Sequence, residues 1–108
     1  MAMLSAENIK NKIEASGHHT PIADEVFDSL YGELCEASSP AAFLNDKYLE
    51  LGMIGKKIDN ANFSYATAWT HDDLETRDSI EIIREGLNMR YSNLFTFINA
   101  VEACLSAD

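Results

Sequence analysis

The last third of the chain carries a long repeat of apolar positions. From Ile80 onwards, apolar residues follow one another at intervals of three and four: Ile80, Ile83, Leu87, Tyr91, Leu94, Ile98, Val101 and Leu105. Such intervals place side chains on one face of an α-helix. The preceding segment, Thr70–Asp73, resembles a capping box in which Thr70 is the cap and Asp73 lies three residues later. The pattern therefore predicts a long amphipathic helix at the C-terminal end.

The predicted length of this helix raises a packing problem. An unbroken helix from His71 to Ser106 is about 54 Å long at 1.5 Å per residue. A compact domain of this size has a diameter of only about 35 Å. We therefore expect the helix either to bend near Gly86 or to project and be buried by another chain.

Several apolar residues of this segment favour the second alternative. Ile82, Met89 and Phe95 lie off the main stripe, and extra apolar surface often marks an interface. We therefore predict self-association, most simply as a homodimer, through the C-terminal helix. The residues assigned to this contact are Ile82, Leu87, Met89, Leu94, Phe95, Ile98 and Val101.

Two shorter helices are predicted before residue 37. The first covers about residues 4–15, with Ser5 as its N-cap and Gly17 placed to end it. The second has Thr20 as its N-cap and Pro21 at the first helical position, where a missing N–H has no cost. Its apolar residues form one wide stripe: Ile22, Val26, Phe27, Leu30, Tyr31, Leu34 and Cys35.

A third helix is predicted to begin at Ser39-Pro40 and to end near Asp59-Asn60. Residues 62–70 are ambiguous, because their aromatic residues alternate as in a strand while other positions fit a helical face. A single strand without a partner is poorly stable, so we expect a helical tail or a packed loop there. The chain is thus predicted to be one all-α domain, residues 1–108, forming a small bundle of about four helices.

The charge of the chain restricts its partners. Eighteen acidic residues face eight basic ones, for a net charge of −10. An anionic surface is repelled by nucleic acids and by anionic membranes, so neither is expected as a partner. A protein with a basic surface is favoured, because opposite potentials steer encounter. The alternative is that the acidity serves solubility alone.

The acidic residues are concentrated in one part of the sequence. Residues 13–46 contain seven acids and not one Lys or Arg. A surface of a single sign costs some self-repulsion without an evident structural need. We therefore predict a partner-binding acidic face on the second helix, formed by Asp24, Glu25, Asp28, Glu33 and Glu36.

A different function is suggested by Asp28-Ser29-Leu30 on the same acidic segment. This tripeptide resembles the attachment site of acyl carrier proteins, in which a serine after an aspartate receives a phosphopantetheine arm. In that family the serine opens a helix, whereas the Thr20-Pro21 cap places Ser29 inside one. The alternative hypothesis is a carrier domain modified on Ser29.

Other chemistry finds little support in the sequence. Gly52–Gly55 and the lysines that follow resemble the GxxG loop of KH nucleic-acid-binding domains, but the chain lacks the alternating segments that a KH sheet needs. The three histidines lack metal-ligand spacing, and no catalytic arrangement is visible. We therefore predict no catalytic residue, no metal and no cofactor. Without a signal peptide or a transmembrane span, the chain is expected to be cytoplasmic, with Cys35 and Cys104 reduced.

Overall fold

The computed structural model of the chain describes residues 4–15 and 22–106. This part of the chain is built from α-helices, as predicted, and contains no strand. The helices are α1 (Ala6–Ala15), α2 (Asp24–Glu36), α3 (Pro40–Thr70) and α4 (Leu74–Leu105). The all-α bundle with a long C-terminal helix is therefore confirmed.

Two of the predicted helix starts are confirmed by their caps. The hydroxyl of Ser5 accepts a hydrogen bond from the N–H of Asn8 at 3.1 Å. The hydroxyl of Ser39 accepts one from the N–H of Ala42 at 3.1 Å, and Pro40 occupies the first helical position of α3. The start predicted for α2 at Thr20-Pro21 and the stop at Gly17 lie outside the described residues. Within those residues, α2 begins at Asp24.

The predicted end of α3 near Asp59-Asn60 is wrong, because α3 continues to Thr70 and absorbs the ambiguous segment 62–70. Between Asn60 and Thr70 the sequence contains no Gly or Pro to break the helix. The residues Ile58, Ala61, Tyr65 and Ala68 also keep the helical intervals of three and four. Of the two expectations for residues 62–70, the helical tail is therefore confirmed and the packed loop is wrong.

The turn between α3 and α4 differs from the predicted capping box. Asp72 has a φ of 59°, in the left-handed region that ends many helices. The N–H of Asp73 then donates to the carbonyl of Ala68 at 3.0 Å, which closes α3. Asp73, not Thr70, caps α4, since it accepts from the N–H of Thr76 at 3.2 Å and from its hydroxyl at 2.7 Å. These two bonds lower the pKa of Asp73 below its usual range.

The length problem is resolved without a break in α4, which is continuous through Gly86. The molecule is elongated instead, with extents of 57 × 25 × 21 Å and a radius of gyration of 16.7 Å. The two long helices α3 and α4 run antiparallel along one another and form the principal contact of the fold. The short helices α1 and α2 pack on them at one end only.

The hydrophobic core lies at the end of the molecule where all four helices meet, which we call the closed end. Phe97 of α4 is fully buried at its centre, with its ring 5.4 Å from that of Phe27 and 5.9 Å from that of Phe43. Both ring pairs meet edge to face, a favourable aromatic geometry. The remaining core residues are Ile9, Leu30, Leu34, Leu51, Ile54, Leu94, Ile98, Ala100, Val101 and Cys104.

Beyond the closed end, α3 and α4 continue as a two-helix projection that we call the arm, residues 55–90. In this stretch one residue, Ala68, is buried. The arm is joined at its tip by the turn at residues 71–73. It therefore consists of two helices that contact each other, and α2 comes near it at its base, where Ser29 and Leu30 line a shallow cleft with Arg90.

The central position of Phe97 leads to a first prediction. Phe97→Leu should lower the free energy of unfolding by about 1–2 kcal/mol, because it leaves space among the three packed rings. Phe95→Leu is the matched control, since Phe95 is two residues away and 45% exposed. We expect the control to cost less than half as much in urea denaturation followed by circular dichroism. Equal losses for the two variants would contradict the assignment of the core.

Candidate interaction surfaces

The acidic face predicted on α2 is exposed. Asp24, Glu25, Asp28 and Glu36 lie at the surface, while the apolar side of the helix, Phe27, Leu30 and Leu34, is buried against α3 and α4. The fifth residue, Glu33, is half-exposed and differs from the others because it is paired. The helix thus presents carboxylates outward and holds one of them against α3.

The partner of Glu33 is a buried lysine of α3. The ammonium of Lys47 lies 2.9 Å from the carboxylate of Glu33, 3.6 Å from that of Glu50 and 3.9 Å from that of Asp46. Only 5% of the Lys47 side chain is exposed, and its Nζ stands 5.8 Å from the centre of the Phe43 ring. A buried charge needs such compensation, because desolvation is costly. The group therefore fastens α2 to α3.

The protonation of Lys47 follows from two opposing effects. Burial by itself lowers the pKa of Lys47, but the hydrogen bond to Glu33 and the charges of Glu50, Glu33 and Asp46 outweigh it and raise the pKa above its usual value. A raised lysine pKa adds stability at neutral pH that is lost as the pH rises through that pKa. Lys47 therefore stays charged, and the contact stays intact, throughout the neutral range.

Sequence reasoning missed Lys47, although a signal was present. The lysine lies at a position where the spacing of apolar residues in α3 predicts another apolar residue, four residues after Phe43 and four before Leu51. A single base at a core-facing position beside a segment rich in acids indicates a buried ion pair. Glu33 consequently belongs to the packing of the bundle as well as to the acidic face.

The residues predicted for self-association fall into two groups. The first group lies inside the chain's own fold: Leu94, Ile98 and Val101 are buried in the core of the closed end, and Leu87 is partly buried at the seam, where α3 and α4 contact each other in the arm. Ile82, Met89 and Phe95 are exposed, at 72%, 63% and 45% of their surface. A contact with another chain can use this second group, whereas the first already stabilises the chain's own fold.

The arm exposes further large apolar side chains that the sequence had not assigned to a surface. Phe63 of α3 is 75% exposed, and Trp69, Leu74 and Ile83 are each 55% exposed. With Ile82 and Met89 they make six large apolar residues exposed within residues 55–90. Phe63 and Trp69 lie in a segment that was expected to be either a helical tail or a packed loop, which left the exposure of their side chains open. Ile83 was missed because its spacing placed it on the buried stripe.

The seam between the helices of the arm is held largely by stacked side chains. The guanidinium of Arg77 lies 4.1 Å from the centre of the Trp69 ring, and that of Arg84 lies 4.3 Å from the centre of the Tyr65 ring. Arg84 also pairs with Glu81 at 3.2 Å. Each cation–π contact contributes about 0.5–1 kcal/mol at exposed sites. The arm is therefore ordered without a wide apolar core of its own.

Ser29, the candidate attachment residue, is exposed on α2. It is the sixth residue of the helix, and the backbone is helical on both sides of it. It lines a shallow cleft with Leu30 and Arg90. The position is accessible, but it lacks the loop that precedes the serine in the carrier family, so modification of Ser29 remains a prediction without structural support.

Among the described residues, no group of three or more His, Cys, Asp or Glu side chains is placed to hold a metal ion. His71 is exposed in the turn between α3 and α4, and His18-His19 lie outside the described residues. Both cysteines are free thiols. Cys35 is exposed, whereas burial raises the pKa of Cys104, so that thiol is held protonated in the core.

The pairing of Glu33 with Lys47 can be tested by two matched substitutions on α2. Glu33→Gln should lower the free energy of unfolding by about 1 kcal/mol, because a charged hydrogen bond to a buried ammonium is weakened. Glu36→Gln, three residues away and exposed, removes the same charge and should change stability by less than about 0.5 kcal/mol. Urea denaturation at neutral pH measures both. Equal effects would show that Lys47 does not fasten α2.

Comparison with known proteins does not assign the chain to a family. No protein-family model matches the chain, and no curated protein and no solved structure shows significant similarity to it. None of the helices in the described residues has both the length and the apolar character required to cross a membrane. The functional conclusion therefore depends on the surfaces described above.

Proposed function

We infer that this chain is a non-catalytic binding protein that acts through contacts with other proteins. It combines two surfaces: the arm, which provides self-association through the C-terminal helix, and the acidic face of α2, which meets a partner with a basic surface. The proposal places the protein in the cytoplasm, where Cys35 and Cys104 remain reduced. Nucleic acids and membranes are not among its partners in this proposal.

The observation that carries the proposal is the uncovered arm. Six large apolar side chains are exposed along residues 55–90, and one residue of that stretch is buried. Six more large apolar residues are exposed elsewhere in the described part of the chain, but those of the arm stand on an element in which one residue is buried, and exposed apolar surface on such an element supports a site of interaction. Ile58 and Leu87 of the arm pack against the core of the closed end, but the rest of the arm lies outside that core, so its length is explained by what it contacts.

The acidic face supports the choice of partner. Four carboxylates of α2 point away from the core, and no basic residue occurs on that helix. Their mutual repulsion is not relieved within the helix, whereas a basic protein surface would relieve it. The acidic face thus provides attraction and orientation, and the apolar residues of the arm provide the buried contact area.

The proposal predicts a charge-dependent partner. Asp28→Lys combined with Glu36→Lys should remove a basic protein from the set captured by the tagged protein in extracts of its source cells, because the reversed face repels it. Glu7→Lys combined with Glu14→Lys on α1 is the control, since it changes the net charge by the same amount at another exposed site. The captured proteins are identified by mass spectrometry.

Three results give the outcome of this experiment. Loss of the partner from the α2 variant and its retention by the α1 variant support the proposal. Equal loss from both variants shows that only the total charge matters, and the acidic face then serves solubility. Equal capture by both variants and by the unaltered protein overturns the role assigned to α2.

A further inference from the structure

We propose that the arm is covered by the arm of a second copy of this chain, packed antiparallel against it so that two α3–α4 pairs form a four-helix arrangement. The inference rests on the proposed function, which assigns self-association to the C-terminal helix. The surface is one side of the arm. Its residues, here called the arm face, are Lys57, Asn60, Ser64, Thr76, Ser79, Ile83, Gly86 and Arg90.

The arm face continues a row of positions that is buried elsewhere in the same helix. On α4 the row advances at intervals of three and four from Thr76 to Cys104, so its members share one side. The C-terminal members, Asn93, Phe97, Ala100 and Cys104, are buried, and the ring of Phe97 meets Phe27 of α2 and Phe43 of α3. The N-terminal members, Thr76, Ser79, Ile83, Gly86 and Arg90, are all exposed. At the closed end this side of α4 is packed against other helices of the chain. Along the arm the same side is exposed.

The side chains of the arm face permit close approach by another pair of helices. Ser64, Ser79 and Gly86 are small, and Ile83 supplies a large apolar group near their centre. At the tip, Phe63, Ala68 and Ile80 line a cleft of about 310 Å³ between α3 and α4. An apolar side chain of a second arm fits such a cleft, while Ile83, which lies midway along the arm, meets the middle of the second arm in the antiparallel arrangement.

Gly86 is difficult to explain within a single copy. Glycine is among the poorest helix formers, and a side chain at this position would meet no atom of the chain within 4 Å. The chain's own packing therefore does not require a glycine there. The absence of a side chain at Gly86 leaves room for a helix of a second copy to cross the arm face closely, whereas Gly32 and Gly52, which have the same open space, lie outside that face.

The distribution of charge along the arm identifies the occupant as a second copy in antiparallel orientation. The base of the arm carries Lys56, Lys57 and Arg90 against the acids Asp59 and Glu85, and its tip carries Asp72, Asp73 and Glu75 against the base Arg77, so the base of the arm is net positive and its tip net negative. Gly55 of α3 lies level with Tyr91 of α4 at the base of the arm, and Trp69 lies level with Arg77 near the tip. Phe63 and Ile83 are therefore about midway between the two charged groups. An antiparallel second arm brings acids to bases at both ends, whereas a parallel one opposes like charges.

The overall charge agrees with this choice. Residues 55–90 hold five of the eight Lys and Arg residues and seven of the eighteen Asp and Glu residues. The arm is thus close to neutral, while most of the net charge of −10 lies at the closed end. Two copies can therefore join through their arms while their acidic closed ends remain at opposite ends of the dimer, where mutual repulsion is weakest.

The first test uses two equivalent glycines. Gly86→Gln should raise the dissociation constant of the dimer at least about tenfold, because the new side chain separates the arms. Gly52→Gln is the matched control: Gly52 also lies inside a helix, and a Cβ atom there would meet nothing within 4 Å, but it lies outside the arm face. Sedimentation equilibrium from about 5 to 200 µM measures both against the unaltered protein, which should approach twice the chain mass of 12.0 kDa.

The second test reverses the charges at the two ends of the arm. Lys57→Glu with Arg90→Glu should weaken the dimer, and adding Asp72→Asn with Glu75→Lys to the same chain should restore it, because opposite charges face one another again. Lys10→Glu with Lys12→Glu on α1 changes the net charge as much as the first pair and should leave the dimer intact. Rescue by the second pair is expected only if base and tip of different copies are in contact.

The outcomes separate this inference from the function on which it rests. A protein that stays monomeric over the whole concentration range, with unaltered helical circular dichroism, overturns the second-copy inference. A heterologous partner of the arm then remains within the proposed function, and the capture experiment decides on it independently. Equal weakening by the Gly86 and Gly52 variants, or by the arm and α1 charge variants, also overturns the arm face as the contact.

Discussion

The structure depends on a mismatch in length between its helices. α3 and α4 contain 31 and 32 residues, whereas α1 and α2 contain 10 and 13. At 1.5 Å per residue, the long pair extends over about 47 Å and neither short helix over more than about 20 Å. A closed core is consequently possible at one end only. The closed end, the arm and the exposed apolar residues of the arm all follow from this constraint.

The two halves of the long helix pair are stabilised by different interactions. At the closed end, buried apolar side chains surround Phe97, and Lys47 fastens α2 through Glu33. Along the arm, arginines stacked on Trp69 and Tyr65 replace an apolar core. Hydrophobic burial scales with the area removed from water, so the closed end supplies most of the folding free energy. The arm is the part of the fold that can gain most from additional contacts.

The sequence predicted the elements better than their arrangement. The caps at Ser5 and Ser39 and the intervals in α4 are local signals, and each was sufficient to predict its helix. The extent of α3 was missed because helical and strand periodicities overlap between Phe63 and Trp69. The local pattern also assigned Leu94, Ile98 and Val101 to a contact between chains, since a row of apolar residues does not specify which helix covers it.

The acidic face was predicted from composition and is exposed as expected, but the role of Glu33 was not predictable from its own surroundings. It depends on Lys47, which lies fourteen residues later on another helix. The arm face was equally inaccessible to sequence reasoning. Its residues are mostly small or polar, and only the burial of Phe97 and Cys104 further along the same row shows that this side of α4 is one that packs.

The packing of α1 against α4 has a consequence for synthesis of the chain. Ile9 is fully buried in a core formed largely by Phe97 and its neighbours on α4. Among the four helices the ribosome makes α1 first and α4 last, so Ile9 can be buried there only after α4 has been made. During translation Ile9 must wait for this contact while some ninety residues follow α1, at about 5–20 residues per second, although Lys10 of α1 can stack on Phe27 of α2 earlier. The low apolar content of α1, with Ile9 and Ile13 as its only large apolar residues, limits the surface at risk of aggregation during that wait.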